Sequence, residues 1–98
     1  MSFFDKVYEV VKTVPKGKVI TYGKIAEILG NKRMSKQVGW ALHANSSPET
    51  VPCYRVVNRL GEVSSSFAFG GANVQKQMLL SDGVKFDESG RVMKEFFV

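Results

Sequence analysis

The sequence predicts a mainly helical α+β fold, a winged helix-turn-helix with a small sheet or wing, on three observations. Apolar residues recur at helical spacing in three segments of the first half, a short basic turn separates the second from the third, and the β-type signals are brief valine and isoleucine runs beside turn residues. With 98 residues, of which 44% are hydrophobic, the chain is expected to be one domain, 1–98, around one modest core.

Each element has a local reason. Phe3, Val7, Val10, Val11 and Val14 share one face of a first helix, which Pro15-Lys16-Gly17 ends. Val19-Ile20 is a short strand. Thr21 is placed to N-cap a second helix with Ile25, Ala26, Ile28 and Leu29 inward and Gly30 at its C-terminal end. Asn31-Lys32-Arg33 is the turn, and Ser35 is expected to cap a third helix, Lys36 to Ala44, with Val38, Ala41 and Leu42 inward. Beyond the loop Asn45 to Thr50, Val56-Val57, the turn Asn58 to Gly61 and Glu62-Val63 outline a wing. Ser64-Ser65-Ser66 is a polar linker ahead of Phe67 to Gly71. A last helix, Asn73 to Ser81, is expected to bury Val74, Met78 and Leu79, and a turn at Asp87 to Gly90 leads to a terminal strand, Val92 to Val98.

The net charge of +5 is concentrated. Between Lys16 and Lys36 six basic residues stand against one acid, Glu27, while the remainder of the chain is balanced. A basic segment on a neutral body is the footprint of a protein that meets phosphates on one face, and the second helix of a helix-turn-helix commonly enters a DNA groove. On the outward side of the third helix Lys36, Trp40 and His43 form one stripe, a cation, an aromatic and an imidazole. Taken alone, Trp40 is equally compatible with core packing.

Other classes are disfavoured. A single cysteine excludes an internal disulfide, no apolar stretch is long enough to cross a bilayer, and the first residues lack the pattern of a signal peptide. The expectation is a cytoplasmic monomer with no membrane association, nucleoid-associated in a bacterium, with no metal site.

That one cysteine lies in Pro52-Cys53-Tyr54-Arg55-Val56-Val57. A lone cysteine often only fills a core. Here Arg55 is expected to bring a positive charge near the sulfur and favour thiolate, which makes Cys53 a candidate nucleophile.

The run resembles the active-site signature Pro-Cys-His-Arg-Val of the O6-alkylguanine-DNA alkyltransferases and of their relatives without the cysteine, the alkyltransferase-like proteins. Further matches follow in order: Pro15-Lys16-Gly17-Lys18-Val19, Thr21-Tyr22-Gly23, Ser35-Lys36-Gln37-Val38-Gly39, Asn45, Gly70-Gly71 and Leu79-Leu80. The resemblance covers Phe3 to Phe86. It implies a double-stranded DNA partner containing alkylated guanine, extrusion of the damaged base, and transfer of the alkyl group to Cys53 without a cofactor. It also implies that Tyr22 contacts the guanine ring, that Lys36 fills the space left by the flipped nucleotide, and that Asn45 braces the cysteine loop. Ser35, Gln37, Gly39, Trp40, His43, Arg55, Gly70 and Gly71 are expected to complete the DNA-binding set. The N-terminal domain of many alkyltransferases is expected to be missing.

The departures set the reaction in question. Tyr54 stands where the family has its histidine, and Lys36 where it usually has arginine; two residues are added ahead of Gly70, and one is lost before the acidic position, here Asp82. A neutral phenol is a poor proton acceptor, so Asp82 would have no imidazole to orient. The expected outcomes are slow stoichiometric transfer to Cys53, or recognition without transfer that recruits other enzymes such as nucleotide-excision repair proteins. A winged-helix module with an ordinary regulatory or structural role is the remaining alternative.

Overall fold

The computed structural model describes Met1–Val98 as four α-helices and one two-stranded parallel sheet. Helix α1, Phe3–Lys12, begins with a capping box in which Ser2 Oγ accepts from Asp5 N and Asp5 Oδ2 accepts from Ser2 N. Such a cap contributes about 1 kcal/mol and fixes the start of the helix. Its inner face buries Val7 and Val11.

Strand β1, Ile20–Thr21, runs directly into α2, Tyr22–Ile28. Thr21 serves both elements: its Oγ1 accepts from Lys24 N at 3.0 Å, as expected of an N-cap. Gly30, at φ +101°, takes the left-handed conformation that ends the helix. Asn31 then caps a single 3-10 turn, Lys32–Met34, through Arg33 N.

Helix α3, Ser35–His43, packs on α1 and α2 through buried Val38, Ala41 and Leu42, and Tyr8 Oη donates to Ala41 O at 2.7 Å. The predicted serine cap is not formed. Met34 occupies the cap position without a side-chain bond, and Ser35 is already helical, because the preceding 3-10 turn feeds straight into the helix.

The wing differs from the expectation. Strand β2, Val56–Val57, pairs in parallel with β1, Ile20 opposite Val56 and Thr21 opposite Val57. Glu62-Val63 forms no strand. Asn58 instead gathers the turn, its Oδ1 accepting from Leu60 N and Glu62 N. Gly61, at φ +83°, lies so close to the C-terminal segment that a Cβ there would sit 3.0 Å from the backbone of Val92. The side of the turn that would have paired with a hairpin partner is thus taken by the tail.

Helix α4, Gly71–Ser81, starts two residues earlier than expected and is rotated from the predicted phase. Leu79 is buried as expected, but Gln75 takes the second inner position and Val74 is exposed. The predicted terminal strand is reduced to single bridges at Phe86 with Val92 and at Val19 with Phe97, around a 3-10 turn at Lys94–Phe96. No helix is long and apolar enough to cross a membrane.

Two apolar clusters result. One joins the three N-terminal helices to Val51, Cys53 and Val56; the other gathers Val19, Val57, Leu79, Val84 and Val92. The parallel ladder lies between them, with Ile20 and Val56 in the first and Val57 in the second.

Candidate functional site

A cavity of about 420 Å³ opens where the outer stripe of α3 faces the loop after Val63. That volume lies within the range of small-molecule pockets. Lys36, Gly39, Trp40, Leu42 and His43 line it from α3, Tyr22 from the start of α2, and Ser64, Ser66, Phe67 and Ala68 from the loop; Cys53 and Gln75 complete the lining. Trp40 is 54% exposed, so the core-packing alternative for it does not hold. Lys36 Nζ stands 5.7 Å from the centre of the Trp40 ring. His43 Nδ1 lies 3.2 Å from Ser66 O; a carbonyl only accepts, so this nitrogen carries the proton and ties the loop to α3.

Cys53 is buried, at the first position of a 3-10 turn, Cys53–Arg55. Asn45 holds the chain ahead of it. Its Nδ2 donates to Val51 O at 3.0 Å and its Oδ1 accepts from Ser47 N at 3.1 Å. Burial pushes the Cys53 thiol above its ordinary value of 9, and the opposing hydrogen bonds from Asn45 and from its own backbone do not cancel that effect. Tyr22 is half-buried, and its phenol is likewise raised by burial, with Ser64 pulling the other way and the Cys53 charge adding to the rise.

Arg55 does not activate the sulfur. Its Nη1 donates to Val14 O at 2.9 Å, its Nη2 to Tyr54 Oη at 3.1 Å, and its Nε meets Asp82 Oδ2 at 3.5 Å as an ion pair without a hydrogen bond. Tyr54 Oη in turn donates to Asp82 Oδ2 at 2.5 Å. The expected thiolate-favouring charge is therefore spent on a polar lock behind the cysteine turn. Tyr54 is raised above 10 by burial first, then by its bond to Asp82, while Arg55 lowers it. None of Tyr54, Arg55 and Asp82 lines the cavity.

The remaining expected site residues fall elsewhere. Gly70 and Gly71 do not wall the cavity. Both adopt positive φ at the start of α4, their N–H groups converge on Phe67 O, and a Cβ on Gly70 would come within 2.6 Å of Val74. Ser35 and Gln37 are half-buried on α3 outside the lining. No group of three His, Cys, Asp or Glu side chains is placed to hold a metal ion.

Sequence reasoning missed the cavity residues Leu42, Ser64, Ser66, Phe67, Ala68 and Gln75, and of these Gln75 does most to hold the site together. Fully buried, it donates to Val56 O at 2.8 Å and Tyr54 O at 3.1 Å and accepts from Ser64 N at 2.8 Å, so one amide joins the cysteine turn to the cavity loop. A signal existed: counting back one turn from Leu79 places Gln75, not Val74, on the inner face.

Of the six cations of the basic segment, Lys18 bonds Glu95 O and Lys32 pairs loosely with Glu27 at 3.8 Å. Lys16, Lys24, Arg33 and Lys36 are exposed with no ion pair.

A helix-turn-helix that carries a cavity between its second helix and a following loop, floored by a cysteine, defines a narrow class of domain. The chain belongs to the family of the 6-O-methylguanine DNA methyltransferase DNA-binding domain, whose model matches residues 2–84. It is 42% identical over 85 residues to alkyltransferase-like protein 1 of Schizosaccharomyces pombe, covering 86% of this chain and 78% of that protein. Against the DNA base-flipping protein of Escherichia coli (strain K12) it is 38% identical over 93 residues, covering 93% of this chain and 69% of that protein. The crystal structure of S. pombe Atl1 in complex with damaged DNA containing O6-carboxymethylguanine superposes with a TM-score of 0.83 at 34% identity, over 98% of this chain and 94% of that one.

Proposed function

We propose that this protein recognises O6-alkylguanine in double-stranded DNA by turning the damaged base out of the duplex into the cavity beneath α3. The observation that carries the reading is the cavity itself, bounded by the exposed stripe of a helix-turn-helix and ending on Cys53. The names of the relatives support it, one a DNA base-flipping protein and one crystallised with alkylated DNA. In this reading Lys16, Lys24, Arg33 and Lys36 meet phosphates, Tyr22 hydrogen-bonds the extruded ring, Gly39 lets α3 approach the groove, and Asn45 and Gln75 hold the cavity in shape. No cofactor takes part. The protein acts as a monomeric domain in the cytoplasm, and nucleotide-excision repair proteins complete the repair.

Cys53 favours a second activity at the same site, slow transfer of the alkyl group. The sulfur would displace guanine at the alkyl carbon, forming the S–C bond as the C–O6 bond breaks; the electron pair goes to guanine O6, and the proton lost by the thiol is balanced by one taken up at guanine N1, leaving a thioether and neutral guanine. The raised thiol and the commitment of Tyr54 to Asp82 both oppose it. Recognition is therefore the principal function.

Competition titration of O6-methylguanine duplex against matched undamaged duplex tests this reading. Tighter binding to the damaged duplex, retained in Cys53→Ser, is expected; equal affinities would leave only a plain winged-helix module. Affinity for plain duplex should fall steeply with salt. Intact-protein mass spectrometry after long incubation reports any methyl added to Cys53.

A further inference from the structure

We propose that Trp40, rather than Lys36, enters the duplex to fill the gap left by the extruded base; this rests on the base-flipping reading above. When a base leaves the stack, its neighbours lose a flat partner, and proteins that kink or open DNA replace it with an apolar or aromatic wedge. Three observations select the indole.

First, Trp40 is the large apolar side chain that α3 leaves in solvent, 54% exposed, while Val38, Ala41 and Leu42 turn inward. Tryptophan is usually well buried in a folded chain, so the exposed ring is unused by the fold itself. Second, it borders the cavity between Gly39 and His43. A ring standing in the stack there would lie beside the space that receives the base. Third, Lys36 Nζ is held over the Trp40 ring at 5.7 Å, which leaves the ammonium supporting the indole. A flexible stem bearing a strongly hydrated point charge is itself a poor stacking surface.

The pair thus divides two tasks. The indole supplies the flat face, and the lysine brings a charge to the phosphates on either side. Base–aromatic stacking tolerates any sequence, because every base has a π-face, so the wedge would be independent of the bases flanking the lesion.

Trp40 is the sole tryptophan, so its fluorescence reports on its surroundings without labelling. The protein is titrated with three duplexes: undamaged, containing O6-methylguanine, and containing an abasic analogue that has a gap in the stack but nothing to fill the cavity. Strong quenching by both the O6-methylguanine and abasic duplexes, and weak quenching by the undamaged one, is expected. Trp40→Ala should weaken O6-methylguanine duplex binding about tenfold, Trp40→Phe should recover most of the loss, and Lys36→Ala should weaken damaged and plain duplex alike.

Quenching by the O6-methylguanine duplex alone would make Trp40 a cavity wall and overturn the wedge. Loss of damage preference in Lys36→Ala, with preference kept in Trp40→Ala, would return the role to Lys36. Equal binding of the parent to undamaged and O6-methylguanine duplexes would overturn the base-flipping reading, and the wedge with it.

Discussion

The two sides of the Cys53–Arg55 turn are built for opposite purposes. Toward α3 the turn meets an open cavity with exposed cationic and aromatic side chains; away from it, Tyr54, Arg55 and Asp82 bond one another and leave little to solvent. The open side has what is needed to receive a flat ligand. The closed side occupies the positions where the family resemblance puts a proton relay, but fills them with groups that are mutually satisfied. The tyrosine that stands in place of the family's histidine is thus tied to Asp82 and Arg55, away from the cavity.

The contrast can be broken most severely from the closed side. Arg55→Met leaves the Asp82 carboxylate without its cation where the two side chains are only 16% and 11% exposed. Removing one partner of so buried a pair should cost about 3 kcal/mol, read as a shift in urea unfolding. A loss under about 1 kcal/mol would show the lock to be unimportant for stability.

Tyr54→His tests whether the closed side can be returned to chemistry. Methyl transfer to Cys53 from O6-methylguanine duplex should rise about 100-fold, the low end of what a positioned base contributes. Mass spectrometry against time measures it. Absence of adduct in both parent and variant, with binding intact, would leave recognition alone.

Gln75→Leu strikes the joint between the two sides. It removes the partner of Ser64 N, Tyr54 O and Val56 O, the last of them buried, and should cost about 2 kcal/mol. The ratio of damaged to undamaged duplex affinity should fall as well, because the loop opposite α3 loses its tie to the cysteine turn. An unchanged ratio would mean that the cavity keeps its shape without the amide.

The smallest effect is on pH dependence. The thiol of Cys53 and the phenols of Tyr22 and Tyr54 are all raised by folding, so the native state holds these protons more tightly than the unfolded chain. Their contribution is complete below about pH 9 and is lost as pH rises through the folded values. Unfolding free energy measured from pH 7 to 11 should be level and then decline. Tyr54→Phe should make the decline shallower above pH 10; an identical slope would detach Tyr54 from it.

The helical half was legible because helical spacing marks the inner face of each helix. Val7, Val11, Ile25, Ala26, Val38 and Ala41 point inward for reasons that periodicity alone detects, and Tyr22, Lys36 and Cys53, which the resemblance singled out, all line the cavity. The second half was less so. A two-residue strand at Val56-Val57 carries no mark of which edge it joins, and the tail, not a hairpin, occupies the far side of the Asn58–Gly61 turn. The count back from Leu79 puts Gln75 on the inner face, but nothing local reveals that three polar groups from distant segments converge on it. Arg55 misled for the same reason: its neighbour in sequence is Cys53, whereas its bonds go to Val14, Tyr54 and Asp82.

The short ladder between β1 and β2 also sets an order of assembly. Helices α1 to α3 lie within the first 43 residues and pack on one another, whereas Ile20 pairs with Val56, which lies beyond all three. Contacts between distant segments carry the cost of closing the intervening chain and form slowly. During refolding, amides of the three helices should gain protection from hydrogen exchange before those of Val56 and Val57. Affinity for any duplex should therefore return first, and the ability to tell damaged from intact DNA only when the ladder closes.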